Sequence, residues 1–151
     1  HELLEWHGHN DFYKAVVNSS TAWLYGCSGV NTSLFGIGER TGNTPAEAMV
    51  FEYAQLRGTL NGMDTRVITE LAEYYEKEIA YHIPPRTPFV GKNFNVTRAG
   101  IHADGLLKNE EIYNIFDTEK VFKPSGSVRC IEYLRSCRNR TLDQQLLPPA
   151  G

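Results

Sequence analysis

The chain has 151 residues, of which 41% are hydrophobic and 22% are charged, and this composition is typical of a globular domain rather than a disordered or collagenous chain. The formal net charge of -3 excludes the basic surface that binds nucleic acids or anionic lipids. No apolar run approaches the roughly 18 residues of a membrane span, and the three cysteines make no disulfide framework. We therefore expect a cytoplasmic protein with neither a nucleic acid nor a membrane as partner.

The first part of the chain is predicted to alternate between strands and helices. A short apolar run over residues 3–6 predicts a buried strand, and residues 11–25 have mostly helical spacing, with Gly26 at the expected end of the helix. Residues 29–35 are rich in β-formers and predict a second strand. Such alternation favours a parallel sheet, whose functional residues lie at the carboxyl ends of the strands.

The clearest local signal is the sequence Thr-Pro-Ala-Glu at residues 44–47. It matches a capping box, in which Thr44 and Glu47 each bond to the backbone of the other, with proline at the first helical position. It predicts a helix that ends at Gly58. A third helix is predicted to begin at Asp64 and to end before the following pair of prolines.

The remainder of the chain is less regular. Residues 87–99 show little periodicity, and two short helical pieces are predicted at residues 101–107 and 110–116. The end of the chain, from residue 123, is predicted to be poorly ordered. Because the chain opens directly in apolar sequence at His1, we expect it to lack an N-terminal segment of the natural protein.

Two histidines lie at the end of the first predicted strand. Alternate side chains of a strand share one face, so His7 and His9 can converge on one metal ion. The alternative is a pair of histidines that are hydrogen-bonded near a strand end. The second strand is followed by residues 36–43 (GIGERTGN), from which Asn43 or Glu39 could reach the same ion. The glycines of this stretch fit a tight turn and match no phosphate-binding spacing.

A third cluster of polar residues lies at residues 100–105 (GIHADG). A histidine oriented by a carboxylate is a reasonable general base, which makes His102 and Asp104 candidates, and the alternative is an exposed polar turn. Cys27 has no evident basic neighbour and is interpreted as a small buried residue rather than a nucleophile.

Three motifs together point to a family. Residues 7–11 (HGHND), 36–43 (GIGERTGN) and 100–108 (GIHADGLLK) resemble successive signatures of the Claisen-condensing barrel enzymes, which include 2-isopropylmalate, homocitrate and Re-citrate synthases. Their order and spacing agree with the family from about residue 3 to residue 122.

The resemblance implies an α/β fold with three parts. Residues 1–60 correspond to the last two βα units of a (β/α)8 TIM barrel, and residues 61–122 to a mostly helical C-terminal extension. Residues 123–151 match no segment of the family. Because the first six barrel strands have no counterpart here, the isolated chain is expected to be inactive.

The resemblance also implies a metal centre. In the family pattern, His7 and His9 at the end of strand seven bind a divalent metal, and Asn43 after strand eight is a nearby or weaker ligand. Nitrogen and oxygen ligands favour Mn, Co, Zn or Mg.

The catalytic residues implied by the resemblance come from the extension. His102 reaches the active site of a partner subunit and acts as general acid or base, with Asp104 and Tyr113 in support. The full-length enzyme is accordingly expected to be a homodimer.

The implied reaction joins acetyl-CoA to an α-keto acid. Residues 11–14 (DFYK) are more similar to the Re-citrate synthase group, which condenses acetyl-CoA with oxaloacetate to give citrate. The alternatives within the family are 2-isopropylmalate and homocitrate synthesis. A lyase of the same superfamily is disfavoured, because such lyases have a cysteine in the loop that is GERTGN here. The alternative from another class is a truncated, non-catalytic remnant that acts at most as an oligomerising module or has no function.

Overall fold

The computed structural model describes residues 3–94 of the chain. The chain divides into two compact units, His1–Thr65 and Arg66–Gly151, each of which is described by itself. The elements in chain order are β1 (Glu5–Trp6), α1 (Ala15–Leu24), β2 (Gly29–Val30), a short 3₁₀ helix (Leu34–Gly36), α2 (Ala46–Arg57) and α3 (Arg66–Glu78). No helix among the described residues is both long and apolar enough to cross a membrane. The helical pieces predicted at residues 101–107 and 110–116 lie outside the described residues.

Strands β1 and β2 form a small parallel sheet, as predicted. Glu5 pairs with Gly29 and Trp6 with Val30, and α1 connects the two strands. This is a β-α-β unit, in which the carboxyl ends of both strands point in the same direction. The segments that follow the two strands therefore leave the sheet at the same edge.

The prediction that the first strand is buried is wrong. Leu3 is 94% exposed and Leu4 is 53% exposed, whereas Trp6 is half-buried. A parallel strand is buried on both faces only where helices cover both faces of the sheet. The described residues of the first unit supply no such second layer over Leu3 and Leu4.

The second strand is shorter than residues 29–35. Regular pairing ends at Val30, and Ser33 makes only an isolated bridge with Pro45. The chain then turns through the 3₁₀ helix, where Phe35 has φ 57° and Gly36 has φ 68°. The turn has a structural reason: the Gly36 carbonyl accepts the N–H of Asn43 at 2.9 Å, which closes residues 36–43 into a loop.

Helix α1 begins later than predicted and ends as predicted. Residues 11–14 form a turn in which Tyr13 has φ 58°, and the Asn10 side-chain oxygen accepts the N–H of Ala15 at 3.3 Å. At the other end, Gly26 has φ 98° and donates to Trp23 at 3.0 Å, and Cys27 donates to the Ala22 carbonyl at 2.9 Å. This pair of hydrogen bonds is a Schellman motif, which requires the left-handed conformation that glycine supplies.

The capping box predicted for α2 is not formed. The helix ends at Gly58 as predicted, but its N-cap is Pro45 and no side chain caps it. The Glu47 carboxylate instead accepts the backbone N–H of Phe35 at 3.0 Å. The Thr44 hydroxyl hydrogen-bonds the Ser19 hydroxyl at 2.9 Å, and both residues are fully buried. Thr44 and Glu47 therefore bond to residues elsewhere in the fold instead of to the backbone of each other.

The core of the first unit is small and lies between α1 and α2. Its buried apolar side chains are Ala15, Ala22, Met49 and Phe51. The polar pair of Ser19 and Thr44 continues this core, so that α1 is joined to the start of α2 by a hydrogen bond.

The second unit contains α3, which agrees with the predicted third helix. The helix runs from Arg66 to Glu78 and ends before the proline pair. Its buried face carries Ala72, and Ile83 is buried in the segment that follows.

Replacing Thr44 with valine is expected to destabilise the chain by about 1–3 kcal/mol, because the buried Ser19 hydroxyl loses its partner. The double variant Ser19→Ala/Thr44→Val should cost less than the sum of the two single changes, since both polar groups are then removed together. Urea unfolding measures these differences. Thr21→Val is the matched control, because the Thr21 hydroxyl is exposed and bonds only within α1. A Thr44→Val effect no larger than that of the control would contradict the role of the pair.

Glu47 predicts a pH dependence of stability. Burial raises the pKa of its carboxyl above the ordinary value of 4.5, and the hydrogen bonds from its own backbone and from Phe35 lower it again only in part. Because the folded pKa is raised, the contribution of Glu47 to stability is fully present below pH 4.5 and is lost as the pH rises through the folded value.

Glu47→Gln keeps an acceptor for the Phe35 N–H and carries no charge. The stability of this variant relative to the natural chain should therefore rise as the pH is increased from about 4 to about 8. Urea midpoints of both proteins across this pH range measure the difference in stability. The other titrating groups are the same in both proteins, so their contributions cancel in this difference. A difference that does not vary with pH would show that the carboxyl is not desolvated.

Candidate metal centre

The candidate centre begins with the two histidines that follow β1. The Nε2 atoms of His7 and His9 lie 3.3 Å apart, and the two rings meet edge to face with their centroids separated by 5.1 Å. His7 is exposed and His9 is half-buried. Gly8 between them packs against the indole of Trp6, where an added Cβ would lie 3.0 Å from the indole nitrogen. The absence of a side chain at Gly8 therefore allows the strand end to sit on Trp6.

The orientation of the His9 ring is set by a backbone carbonyl. Its Nδ1 lies 3.3 Å from the carbonyl oxygen of Glu39. A carbonyl only accepts, so in this contact the Nδ1 carries the proton, and the Nε2 of the neutral ring keeps its lone pair. This is the tautomer that a metal-binding histidine has when its other nitrogen is held by a backbone oxygen.

The separation of the two Nε2 atoms fits two interpretations. In one, His7 donates a hydrogen bond to His9. In the other, both nitrogens face one ion: two nitrogens bound tetrahedrally at about 2.0–2.1 Å are about 3.3 Å apart, the distance found here. Within residues 3–94 no group of three His, Cys, Asp or Glu side chains is placed to hold a metal. A third ligand from this part of the chain must therefore be of another type.

Asn43 is placed to be that ligand. It forms an isolated antiparallel bridge with His9, and side chains of directly opposed residues project from the same face about 5 Å apart. Its amide nitrogen donates weakly to the Ile37 carbonyl at 3.4 Å, so the side-chain oxygen is the atom left to bind an ion. Gly38 packs against this amide, where an added Cβ would lie 2.5 Å from the nitrogen.

The structure thus brings three of the predicted site residues together. It also distinguishes residues whose side chains face the candidate centre from a residue that contributes only its backbone. His7 contacts His9 and His9 is bridged to Asn43, whereas the exposed Glu39 takes part through its backbone carbonyl. The remaining predicted site residues, His102, Asp104 and Tyr113, lie outside the described residues.

One element of the site was missed in the sequence. Asp11 holds the loop of residues 36–43 through three hydrogen bonds: Arg40 donates its Nη2 to Oδ2 at 2.9 Å and its Nε to Oδ1 at 3.2 Å, and the Thr41 hydroxyl donates to Oδ1 at 2.8 Å. The hydrogen bonds from Arg40 and then Thr41 lower the pKa of Asp11, and the pKa of Arg40 is raised by the same contact. One sequence signal could have revealed this contact. Asp11 follows the first strand, and Arg40 and Thr41 follow the second, so the ends of two parallel strands bring an acid close to a base and a hydroxyl.

Comparison with known proteins agrees with the motifs. Residues 2–74 match the family model described as HMGL-like. This match makes residues 2–74 an HMGL-like segment of the chain. The family resemblance predicted from the sequence is thereby confirmed.

Individual relatives within these synthases differ in how similar they are to the chain. The chain is 72% identical over 120 residues to the citrate (Re)-synthase of Clostridium kluyveri, an alignment that covers 80% of this chain and 26% of the relative. It is 64% identical over 121 residues to the citrate (Re)-synthase of Syntrophus aciditrophicus, covering 80% of this chain and 19% of the relative. Homocitrate synthase 1 of a Nostoc species is 36% identical over 118 residues, which cover 78% of this chain and 31% of that protein.

The lengths of these alignments matter in two ways. The chain spans about a quarter or less of the length of the citrate (Re)-synthases it matches. An alignment of 120 residues is also longer than the part of the chain that the structure describes, so the similarity continues beyond residues 3–94.

The double variant His7→Ala/His9→Ala is expected to weaken the binding of Co²⁺ by more than about a hundredfold, because it removes both nitrogen ligands. Titration followed by visible absorption measures the affinity. His82→Ala is the matched control, since His82 is an exposed histidine outside the candidate ligand set. Equal affinities of the natural chain and the double variant would remove the assignment.

Proposed function

We propose that this chain is part of a metal-dependent synthase that condenses acetyl-CoA with an α-keto acid, forming citrate from oxaloacetate. The observation that carries the proposal is the identity of 72% and 64% to two citrate (Re)-synthases over 80% of the chain. The convergent imidazoles of His7 and His9 supply chemistry that this reaction needs.

The proposal includes the fold of the complete protein. Residues 1–60 are the last two βα units of a (β/α)8 barrel, residues 61–122 a mostly helical extension and residues 123–151 a further tail. The parallel pairing of β1 with β2 across α1 supports the barrel units. The exposed apolar side chains of Leu3, Leu4 and Val17 support them as well, since neighbouring barrel elements would cover such a surface.

The candidate centre holds the metal through nitrogen and oxygen atoms of this chain. His7 and His9 contribute Nε2, and Asn43 contributes its side-chain oxygen. When bound, a divalent ion such as Mn, Co, Zn or Mg acts as a Lewis acid that polarises the keto group of the substrate. The Glu39 carbonyl keeps His9 in the tautomer that leaves its Nε2 free to bind.

The extension supplies the proton transfer in this proposal. His102 acts as general acid or base on the acetyl-CoA methyl group and the forming product, with Asp104 and Tyr113 in support. In the complete homodimer these residues reach the active site of the partner subunit. The deprotonated acetyl-CoA would form a carbon–carbon bond with the keto carbon of oxaloacetate, and water would then hydrolyse the resulting citryl thioester to citrate and CoA.

The alternative within the family is the synthesis of homocitrate or 2-isopropylmalate. Observations in its favour include the identity of 36% to a homocitrate synthase. The lower identity makes it the second candidate, and the choice of α-keto acid in an assay distinguishes the two.

The activity test requires the missing barrel strands. The isolated 151 residues should not release CoA from acetyl-CoA and oxaloacetate, because a metal and keto-acid site built from two of eight strands is incomplete. Fusion to the preceding six βα units of a citrate (Re)-synthase should restore CoA release, which a thiol reagent detects.

In this restored enzyme, His102→Ala should lower kcat by about 10²–10⁴ while the metal content is unchanged, because the histidine transfers a proton and does not bind the ion. His82→Ala serves as the control. Loss of metal on His102→Ala, or full activity of that variant, would contradict its role. Turnover of 2-ketoisovalerate in place of oxaloacetate would keep the family and replace the substrate.

A further inference from the structure

We propose that Asp11 is a positioning residue for the metal centre: by holding Arg40 and Thr41, it fixes the loop that carries Asn43 against the strand end that carries His7 and His9. The inference rests on the proposed function only in taking these three residues as metal ligands. It assigns to Asp11 a role in metal affinity without direct contact with the ion.

The contacts of Asp11 are the shortest side-chain contacts between residues 7–11 and residues 36–43. Arg40 and Thr41 reach its carboxylate at 2.9 and 2.8 Å. The other side-chain contact across the same gap, from His9 to the Glu39 carbonyl, is 3.3 Å long. Hydrogen bonds to an ionised carboxylate are stronger than neutral ones, and the two-pronged contact with Arg40 also fixes direction. Asp11 is therefore the main side-chain attachment of the loop.

The attachment lies in register with the candidate ligands. His9 is opposite Asn43 in the bridge, the N–H of Asn10 donates to the Gly42 carbonyl at 2.9 Å, and Asp11 comes next along the strand end. Residues 9–11 thus run antiparallel to the end of the loop, with one contact at each step. A shift of the loop at Asp11 is transmitted directly to the position opposite His9.

The loop needs such an attachment because of its composition. Gly36 and Gly42 have φ of 68° and 92°, and Arg40 has φ 52°. Glycines give the unattached loop many accessible conformations, whose loss on ordering costs free energy. Since residues 37–41 are all exposed, packing does little to hold the loop. The hydrogen bonds of Asp11 supply the order that packing does not.

The competing role for Asp11 is that of a fourth ligand, because a carboxylate two residues after His9 is of the right type. The hydrogen bonds that its carboxylate already accepts argue against this role. Oδ1 accepts from both Arg40 and Thr41, and Oδ2 accepts from Arg40. A carboxylate held by three donors is committed to them, whereas the Asn43 oxygen opposite His9 has no such set of donors.

A double-variant cycle on Co²⁺ affinity separates the two roles. Asp11→Ala and Asn43→Ala should each weaken binding by about tenfold to a hundredfold, which is typical of removing a residue that orients a ligand. If Asp11 acts through Asn43, the double variant should bind no more weakly than Asn43→Ala alone, and all three should share one Co²⁺ absorption spectrum. Additive losses would overturn the proposal and identify an independent ligand.

A second variant tests the same attachment from the loop. Arg40→Gln should weaken Co²⁺ binding, as Asp11→Ala does. If Asp11 were instead a direct ligand, Arg40→Gln would free its carboxylate for the ion, and the affinity would stay unchanged or rise. Lys92→Ala is the matched control, because it breaks another ion pair, between the exposed Lys92 and the half-buried Glu76, outside the candidate ligands. Should Asp11→Ala fail to fold by circular dichroism, Arg40→Gln decides alone, and an unchanged affinity overturns the proposal.

The outcomes also distinguish this inference from the proposed function. If the natural chain binds Co²⁺ and His7→Ala/His9→Ala abolishes binding while Asp11→Ala and Arg40→Gln do not affect it, the positioning role is wrong and the metal centre stands. If neither the 151-residue chain nor its fusion to the preceding six βα units binds Co²⁺, the metal centre itself is refuted, and the positioning role with it.

Discussion

The contact between residues 7–11 and residues 36–43 is the constraint on which the candidate centre depends. Apart from Gly36 at the end of the short 3₁₀ helix, neither segment has regular secondary structure, and the two strands that precede them are each two residues long. What holds the segments together is a backbone bond from Asn10 to Gly42 and the attachment of Asp11 to Arg40. The relative position of the candidate ligands is therefore set by polar contacts between segments about 30 residues apart, rather than by the sheet.

Polar contacts also hold the first unit together at the start of α2. The apolar core is small, and Ser19, Thr44 and Glu47 are buried beside it. Each of these groups has a partner, so that burial does not leave it unsatisfied. The same limited core leaves Leu3 and Leu4 exposed.

The family comparisons and the geometry support the proposed function in different ways. High identity to citrate (Re)-synthases bears on the substrate and the reaction, whereas the imidazole pair bears on the chemistry. Fold alone would decide neither, because one barrel architecture carries many reactions. The distance of 3.3 Å between two imidazole nitrogens is the point at which the structure adds to the sequence resemblance.

The sequence by itself determined the features that depend on a few neighbouring residues. The parallel order of β1 and β2, the end of α1 at Gly26 and the convergence of His7 and His9 follow from periodicity, turn chemistry and strand alternation. Only the tertiary structure decided which distant partner each polar group meets. Glu47 bonds to Phe35 instead of completing a capping box, because segments that meet in space offer a buried donor that local pattern does not reveal.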